Sequence, residues 1–194
     1  MIILRIKHIF LIALALAALT VASSVTARGS LPKAQVLEVN DGDTVTIRLD
    51  DKSIRTRLIG IDAPELGQEQ WGEKAKEHLI SIMDRTHWTV CVETDSVVHD
   101  KYGRLLVYLW TENRELINEI MILDGYAVRF TIPPNTTYIG RFKKAEQIAQ
   151  GKYLGIWGHG GLKEPPAKYR KKHPRKERTW FLFSSTLPQP DALC

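Results

Sequence analysis

The chain has 194 residues, of which 44% are hydrophobic and 25% charged, and its formal net charge is +5. This composition is ordinary for a globular protein and excludes a fibrous or a fully disordered chain. The length is enough for one domain with short appendages. Residues 28–162 carry 17 basic and 19 acidic residues, whereas residues 163–178 carry 8 basic and 2 acidic ones. The positive charge therefore lies outside the predicted body of the protein.

The first segment has the pattern of a secretory signal. Basic Arg5 and Lys7 precede an apolar run over residues 9–21, and small residues follow up to Ala27. The run is shorter than the roughly 20 apolar residues that cross a membrane. We expect a cleaved signal peptide over residues 1–27, rather than an uncleaved anchor, and a mature protein in the periplasm or the medium.

The body opens with three predicted strands joined by tight turns. The strands are expected at residues 34–39, 44–49 and 54–61, with turns at residues 40–43 and 50–53. The second strand alternates apolar and polar side chains, which is typical of a strand with one buried face. Three successive strands of this kind indicate a meander.

Helical spacing follows the third strand and then alternates with further strands. Apolar residues recur at helical intervals over residues 68–83. The later predictions are strands at 88–93 and 104–110, helices at 116–123 and 138–150, and a short extended stretch at 127–130. The pattern predicts an α+β fold, a five-stranded β-barrel of the OB type with about three α-helices.

The C-terminal segment differs from the body in composition. Residues 163–178 combine Pro165, Pro166 and Pro174 with eight basic residues, which favours an exposed, poorly ordered arm. Such an arm is either a solubilising tail or a site of non-specific attraction to polyanions. We therefore divide the chain into a signal peptide (1–27), a barrel domain (28–160) and a basic tail (161–194).

Two cysteines are present, Cys91 and Cys194. An oxidising compartment would permit a disulfide between them. The alternative, which we favour, is that Cys91 is a small, buried hydrophobic residue within the predicted strand that begins at Trp88.

The stretch Arg57-Leu-Ile-Gly-Ile-Asp62-Ala-Pro-Glu65 carries the strongest chemical signal. Asp62 and Glu65 can hold a hard cation, and the guanidinium of Arg57 can hold a phosphate. Such a combination suits phosphodiester cleavage. The alternative is a strand that leads into an Asp- and Pro-containing turn without chemistry.

With two further motifs, Asn40-Asp-Gly-Asp-Thr44 and Asp100-Lys-Tyr-Gly-Arg104, the sequence resembles the staphylococcal-type thermonuclease family. The resemblance runs from about Ala34 to Trp157. It implies an OB-fold barrel with three helices and a secreted, Ca²⁺-dependent endonuclease. The implied substrates are DNA and RNA, and the implied products carry a 3′-phosphate.

The resemblance also implies a set of metal ligands. Asp43 and Asp62 would supply carboxylates, and Ala63 would supply its backbone carbonyl; these suit the oxygen-rich, loose coordination of Ca²⁺. Asp41 lies close enough in the sequence to tune the site. The alternative for Asp41 and Asp43 is turn formation alone, since Asp-Gly is common in hairpins.

The remaining site residues follow from the same resemblance. Glu65 would act on the attacking water, either as a general base or as the acceptor that orients it. Arg57 and Arg104 would grip the scissile phosphate, and Lys101 and Tyr102 would contact a neighbouring phosphate.

The sequence departs from the family pattern at Arg129, Phe130 and Thr131, where a pair of tyrosines is usual. Phe130 would either stack on a base or belong to the core.

A competing interpretation is a catalytically inactive OB-fold module that only binds nucleic acid. Inactive relatives usually lose the arginine or glutamate positions, and here Arg57, Glu65 and Arg104 are all present. A second competing interpretation is an extracellular structural or adhesin-like domain that uses the basic arm. We favour it less, because it would give the carboxylate cluster no role. We expect a monomeric nuclease.

Overall fold

The computed structural model describes residues 31–174. The predicted signal peptide, the end of the basic tail and Cys194 lie outside the described residues. Among residues 31–174, no helix has both the length and the apolar character needed to cross a membrane.

Five strands close into a barrel, as the sequence predicts. They are β1 (Lys33–Asp41), β2 (Thr44–Leu49), β3 (Lys52–Leu58), β5 (Thr89–Glu93) and β6 (Leu105–Trp110). Their order around the barrel is β1-β2-β3-β6-β5, and β5 pairs back with β1. Only the β3–β6 pair is parallel. Closure leaves these strands without a free edge.

The described residues contain four α-helices instead of about three. They are α1 (Trp71–Arg85), α2 (Ile117–Leu123), α3 (Ile139–Gly151) and α4 (Pro166–Lys172), with a 3₁₀ turn at Gly155–Trp157 before α4. The first three correspond to the predicted helices. The fourth lies within the segment for which the sequence predicts a poorly ordered arm, and for residues 166–172 that expectation is wrong. A proline at the first helical position of α4 favours its formation.

The core follows the two periodicities of the sequence. Val45 and Ile47 of β2 are fully buried inside the barrel. The residues that recur at helical spacing in α1 are buried as well; they are Ala75, Leu79, Ile82 and Met83. The predicted face of α1 is therefore the face that packs on the barrel. Cys91 is half-buried in β5, which is less than the sequence interpretation expects.

The predicted strand over residues 54–61 is two strands. β3 ends at Leu58, the chain turns, and β4 (Ile61–Asp62) pairs with β7 (Val128–Arg129) outside the barrel. Gly60 makes the turn possible because it has a φ of +81°, and because a side chain there would collide with the ring of Phe142. The break carries Asp62 out of the barrel wall and back towards Arg57.

Asn118 of α2 joins this break to the barrel. Its side-chain oxygen accepts a hydrogen bond from the Leu109 N–H (3.0 Å), and its amide donates to the carbonyls of Ile59 (2.9 Å) and Val107 (3.2 Å). The side chain is fully buried, so no water can replace these bonds.

We expect Asn118→Ala to lower the free energy of unfolding by about 2–4 kcal/mol, because it leaves buried backbone groups without partners. Chemical denaturation of the mature protein measures this loss. Asn113→Ala, in an exposed turn, is the matched control and should change stability by less than about 0.5 kcal/mol. Equal losses in the two variants would contradict the assignment.

Candidate active site

Three aspartates converge at one end of the barrel. Asp41, Asp43 and Asp62 are 8%, 7% and 0% exposed. Asp43 donates its backbone N–H to Asp41 Oδ1 (3.1 Å) and accepts the Ala63 N–H at Oδ2 (2.8 Å). The turn between β1 and β2 therefore sits directly on the chain that leaves β4. This approach needs Gly42, because a Cβ there would lie 2.7 Å from that of Ala63.

Arg57 neutralises part of this cluster. Strand register places it opposite Thr44, beside Asp43. Its Nη2 lies 2.9 Å from Asp43 Oδ2 and 3.3 Å from Asp62 Oδ1, and its Nη1 donates to the Leu58 carbonyl (2.8 Å). The guanidinium is consequently fixed between two predicted metal ligands.

The positive charge of Arg57 offsets only part of the cost of burying these carboxylates. Burial raises the pKa of Asp43 from its ordinary value of 3.8 to about 7. The charge of Arg57 and the Ala63 N–H oppose this rise, whereas the negative charges of Asp41 and Asp62 add to it. A cation at this position would relieve the repulsion.

The donor set fits a hard cation such as Ca²⁺. It consists of oxygens only. Asp43 and Asp62 lie close enough to share one nitrogen of Arg57, within 3.3 Å of each, so both carboxylates could also contact one bound cation. Over residues 31–174 the structure shows no group of three or more His, Cys, Asp or Glu side chains suited to a metal ion. The predicted set contains only two side chains, the carboxylates of Asp43 and Asp62, because its third ligand is the backbone carbonyl of Ala63.

Glu65 is positioned by the loop that precedes α1. Its backbone N–H donates to Gln68 Oε1 (3.2 Å). The first turn of α1 packs closely against its carbonyl oxygen, and this approach requires Gly72, because a Cβ there would collide with that oxygen. The carboxylate is half-buried on the same side as Asp62. The structure thus brings Arg57, Asp43, Asp62 and Glu65 into one site.

Arg104 belongs to a neighbouring loop instead. Its Nε and its backbone N–H donate to Asp100 at 2.7 and 3.0 Å, and Asp100 also accepts the Tyr102 N–H (2.9 Å). Partial burial opposes ionisation of Asp100, but these donors together hold its pKa below the ordinary value. Asp100 therefore organises this loop and fixes the Arg104 guanidinium.

Lys101 and Tyr102 lie on the exposed rim of this loop. The ammonium of Lys101 is 5.0 Å and the guanidinium of Arg104 is 5.6 Å from the centre of the Tyr102 ring. The Tyr102 side chain is largely exposed, so it and both cations can meet a polyanion.

The chain is similar to known proteins over more than half of its length. The profile described as "Staphylococcal nuclease homologue" matches residues 55–159. The thermonuclease of Staphylococcus intermedius is 37% identical over 131 residues, which cover 63% of this chain and 74% of the relative.

Two enterobacterial proteins match over more of the chain. Protein ParB of Escherichia coli is 32% identical over 174 residues, 85% of this chain and 93% of the relative. The micrococcal nuclease of Shigella flexneri is 32% identical over 167 residues, 78% of this chain and 91% of the relative.

The chain belongs to the staphylococcal nuclease homologue family. Its barrel and its site motifs agree with that membership.

This staphylococcal nuclease homologue differs from the usual pattern at Phe130, which the sequence leaves open between base stacking and the core. The structure places Phe130 at the surface, 36% exposed, with its N–H bonded to the Gly60 carbonyl (2.9 Å). Beside it, Arg129 pairs with Glu146 at 3.4 Å. Phe130 is not a core residue, and its ring is accessible next to β4.

Sequence reasoning missed one residue of the site, Arg170 of α4. Its Nη1 donates to Asp62 Oδ1 and Glu65 Oε1, both at 2.8 Å, and its Nη2 donates to Asp62 Oδ2 at 3.0 Å. The basic composition around Arg170 was visible in the sequence, but nothing there indicated that this residue would turn inward.

We expect Asp43→Asn to stabilise the metal-free protein more as the pH rises. Because the pKa of Asp43 is raised to about 7 in the folded state, the folded protein keeps this proton between about pH 4 and pH 7, whereas the unfolded protein has released it. The contribution of this carboxyl to stability therefore falls as the pH rises. Asparagine mimics the protonated form. The difference in Tm between the variant and the wild type, measured with chelator, should therefore widen from about pH 5 to about pH 8.

Asp51→Asn is the control, since Asp51 is exposed in the β2–β3 turn. Its Tm difference from the wild type should not vary over the same pH range. A difference for Asp43→Asn that shrinks as the pH rises would contradict the electrostatic account.

Proposed function

We propose that this nuclease is a Ca²⁺-dependent endonuclease that hydrolyses phosphodiester bonds of DNA and RNA and leaves 3′-phosphate ends. The observation that carries the proposal is the convergence of Arg57, Asp43, Asp62 and Glu65 in one site. Acidic and basic groups held together in this way suit a reaction that needs both a cation and a bound phosphate.

Asp43, Asp62 and the Ala63 carbonyl would hold the ion. Bound Ca²⁺ would neutralise the substrate and polarise the phosphoryl group. Burial of both carboxylates supports this role, because ionised groups removed from water are stabilised by a cation.

Glu65 would orient the attacking water and accept its proton. Two hydrogen bonds with Gln68 fix the backbone of Glu65, from which the carboxylate extends: the Glu65 N–H donates to Gln68 Oε1 (3.2 Å), and the Glu65 carbonyl accepts the Gln68 N–H (2.8 Å). A positioned base of this kind contributes about 10²–10⁴-fold to the rate.

Arg57 and Arg104 would bind the phosphate and stabilise the charge that grows on it. Asp43 and Asp100 hold the two guanidiniums in place before substrate arrives, which lowers the cost of reorganisation. Lys101 and Tyr102 would bind an adjacent phosphate from the exposed rim.

We assign the protein to the periplasm or the medium, on the signal pattern of residues 1–27. No stable membrane association is proposed after cleavage. A monomer suffices for this mechanism, since every proposed residue comes from one chain.

The test of the reaction is incubation of the mature protein with single-stranded DNA in the presence of Ca²⁺ or of chelator. We expect fragments with Ca²⁺ only, each ending in a 3′-phosphate, as determined by end-labelling or mass spectrometry. Cutting that needs Mg²⁺, or that leaves 5′-phosphates, would refute this mechanism while leaving a nuclease. Binding without any cutting would favour the inactive OB-fold module.

Glu65→Gln should lower the rate of cleavage by about 10²–10⁴-fold and retain binding of DNA, because the amide cannot accept the proton of the attacking water. Cleavage is measured with Ca²⁺, and binding is measured by fluorescence anisotropy with chelator. Glu69→Gln, an exposed residue of the same loop, is the control and should cut at the wild-type rate. Wild-type cleavage by Glu65→Gln would remove Glu65 from the mechanism.

A further inference from the structure

Arg170 occupies the carboxylates to which the proposed function assigns the metal and the proton. Its guanidinium bonds to both oxygens of Asp62, a proposed ligand, and to one oxygen of Glu65, the proposed base. Asp62 is almost completely buried (1% exposed side chain), whereas the Arg170 side chain is 35% exposed. A partly solvated cation thus covers a buried acid.

The segment that carries Arg170 is docked on the loop after Glu65. Three hydrogen bonds, each with a backbone carbonyl as acceptor, join the two. They are Gln68 Nε2 to Glu164 (2.8 Å), Trp71 Nε1 to Gly160 (3.1 Å) and Tyr169 Oη to Gly67 (3.0 Å). Pro166, at the start of α4, is buried. These contacts hold Arg170 at the site in a defined position, which non-specific electrostatic attraction of a basic tail would not do.

Arg170 and a divalent cation compete for the same place. A metal ion on the Asp62 oxygens would lie close to the guanidinium, and like charges at such separations repel strongly where water is largely excluded. Arg57 also contacts Asp62 Oδ1 (3.3 Å), but it has Asp43 and the Leu58 carbonyl as further partners. Arg170 is the more exposed of the two and has a path to solvent, next to the exposed Lys171.

We propose that Arg170 is an internal cation of the metal site, which occupies Asp62 and Glu65 in the absence of Ca²⁺ and withdraws when Ca²⁺ binds. Arg170 is thus a positioning residue that sets the Ca²⁺ concentration at which the enzyme works. This inference rests on the Ca²⁺ assignment of the proposed function. The observed dissociation constant for Ca²⁺ is the intrinsic one divided by the fraction of molecules in which Arg170 is withdrawn.

The test measures Ca²⁺ binding directly, without nucleic acid, by calorimetric titration of the mature protein. If Arg170 occupies the site in about nine-tenths of molecules, Arg170→Gln should bind Ca²⁺ about tenfold more tightly than the wild type. Lys171→Gln removes the same charge from the neighbouring exposed position and should stay within about twofold of the wild type. Arg170→Lys, which keeps the charge without the forked contact, should lie between the wild type and Arg170→Gln.

Thermal unfolding distinguishes this competition from a purely structural contact. In chelator, Arg170→Gln should melt below the wild type, because buried Asp62 keeps only the more distant contact with Arg57 (3.3 Å) and loses the forked contact with Arg170. With saturating Ca²⁺ the two proteins should melt together, because Ca²⁺ replaces the guanidinium. An equal loss of Tm in both conditions would overturn the inference in favour of a structural role.

The titration also separates the two proposals. Equal Ca²⁺ affinity for the wild type, Arg170→Gln and Lys171→Gln would overturn the inference and leave the Ca²⁺ assignment intact. Absence of Ca²⁺ binding in all three proteins would refute the assignment and the inference together.

Discussion

The arrangement of this end of the barrel depends on the burial of three aspartates: Asp43 and Asp62 share the guanidinium of Arg57, and Asp41 lies beside Asp43. Carboxylates removed from water are costly unless cations and N–H donors surround them. Here the Ala63 N–H, Arg57 and Arg170 supply that compensation from three separate segments of the chain. The burial of Asp43 and its raised pKa show that the compensation is incomplete. A cation bound at this end of the barrel would therefore stabilise the fold.

The barrel itself could be predicted because its strands and helices have clear periods. Val45 and Ile47 alternate along β2, and Leu79 and Met83 recur along α1, so the buried faces were visible in the sequence. The break at Gly60 was not visible, because the apolar run over residues 58–61 reads equally well as one strand. Glycine is required at the break partly because the ring of Phe142, a residue more than eighty positions away, packs against it.

The site was predictable to the extent that motifs carry it. Arg57, Asp43, Asp62 and Glu65, which the motifs single out, lie in one place, and Arg104 lies on its own loop, held by Asp100. The docking of α4 was not predictable, because its anchors accept hydrogen bonds through the backbone carbonyls of Gly67, Gly160 and Glu164. Backbone acceptors leave no side-chain pattern, whereas the prolines and basic residues of the same segment favour a disordered arm.

Arg57 and Arg170 meet the same carboxylate but differ in what would be lost if each one moved. Arg57 emerges from a barrel strand, is 14% exposed and also bonds to Asp43 and the Leu58 carbonyl, so withdrawing it would expose several unpaired groups. Arg170 comes from a short helix, is 35% exposed and, within residues 31–174, its side chain bonds to Asp62 and Glu65, two carboxylates that a divalent cation could satisfy in its place. The difference explains how one acidic site can use two arginines. Under the proposed function, Arg57 would stay in place beside the phosphate, whereas Arg170 would be exchanged for the metal ion at little cost to the fold.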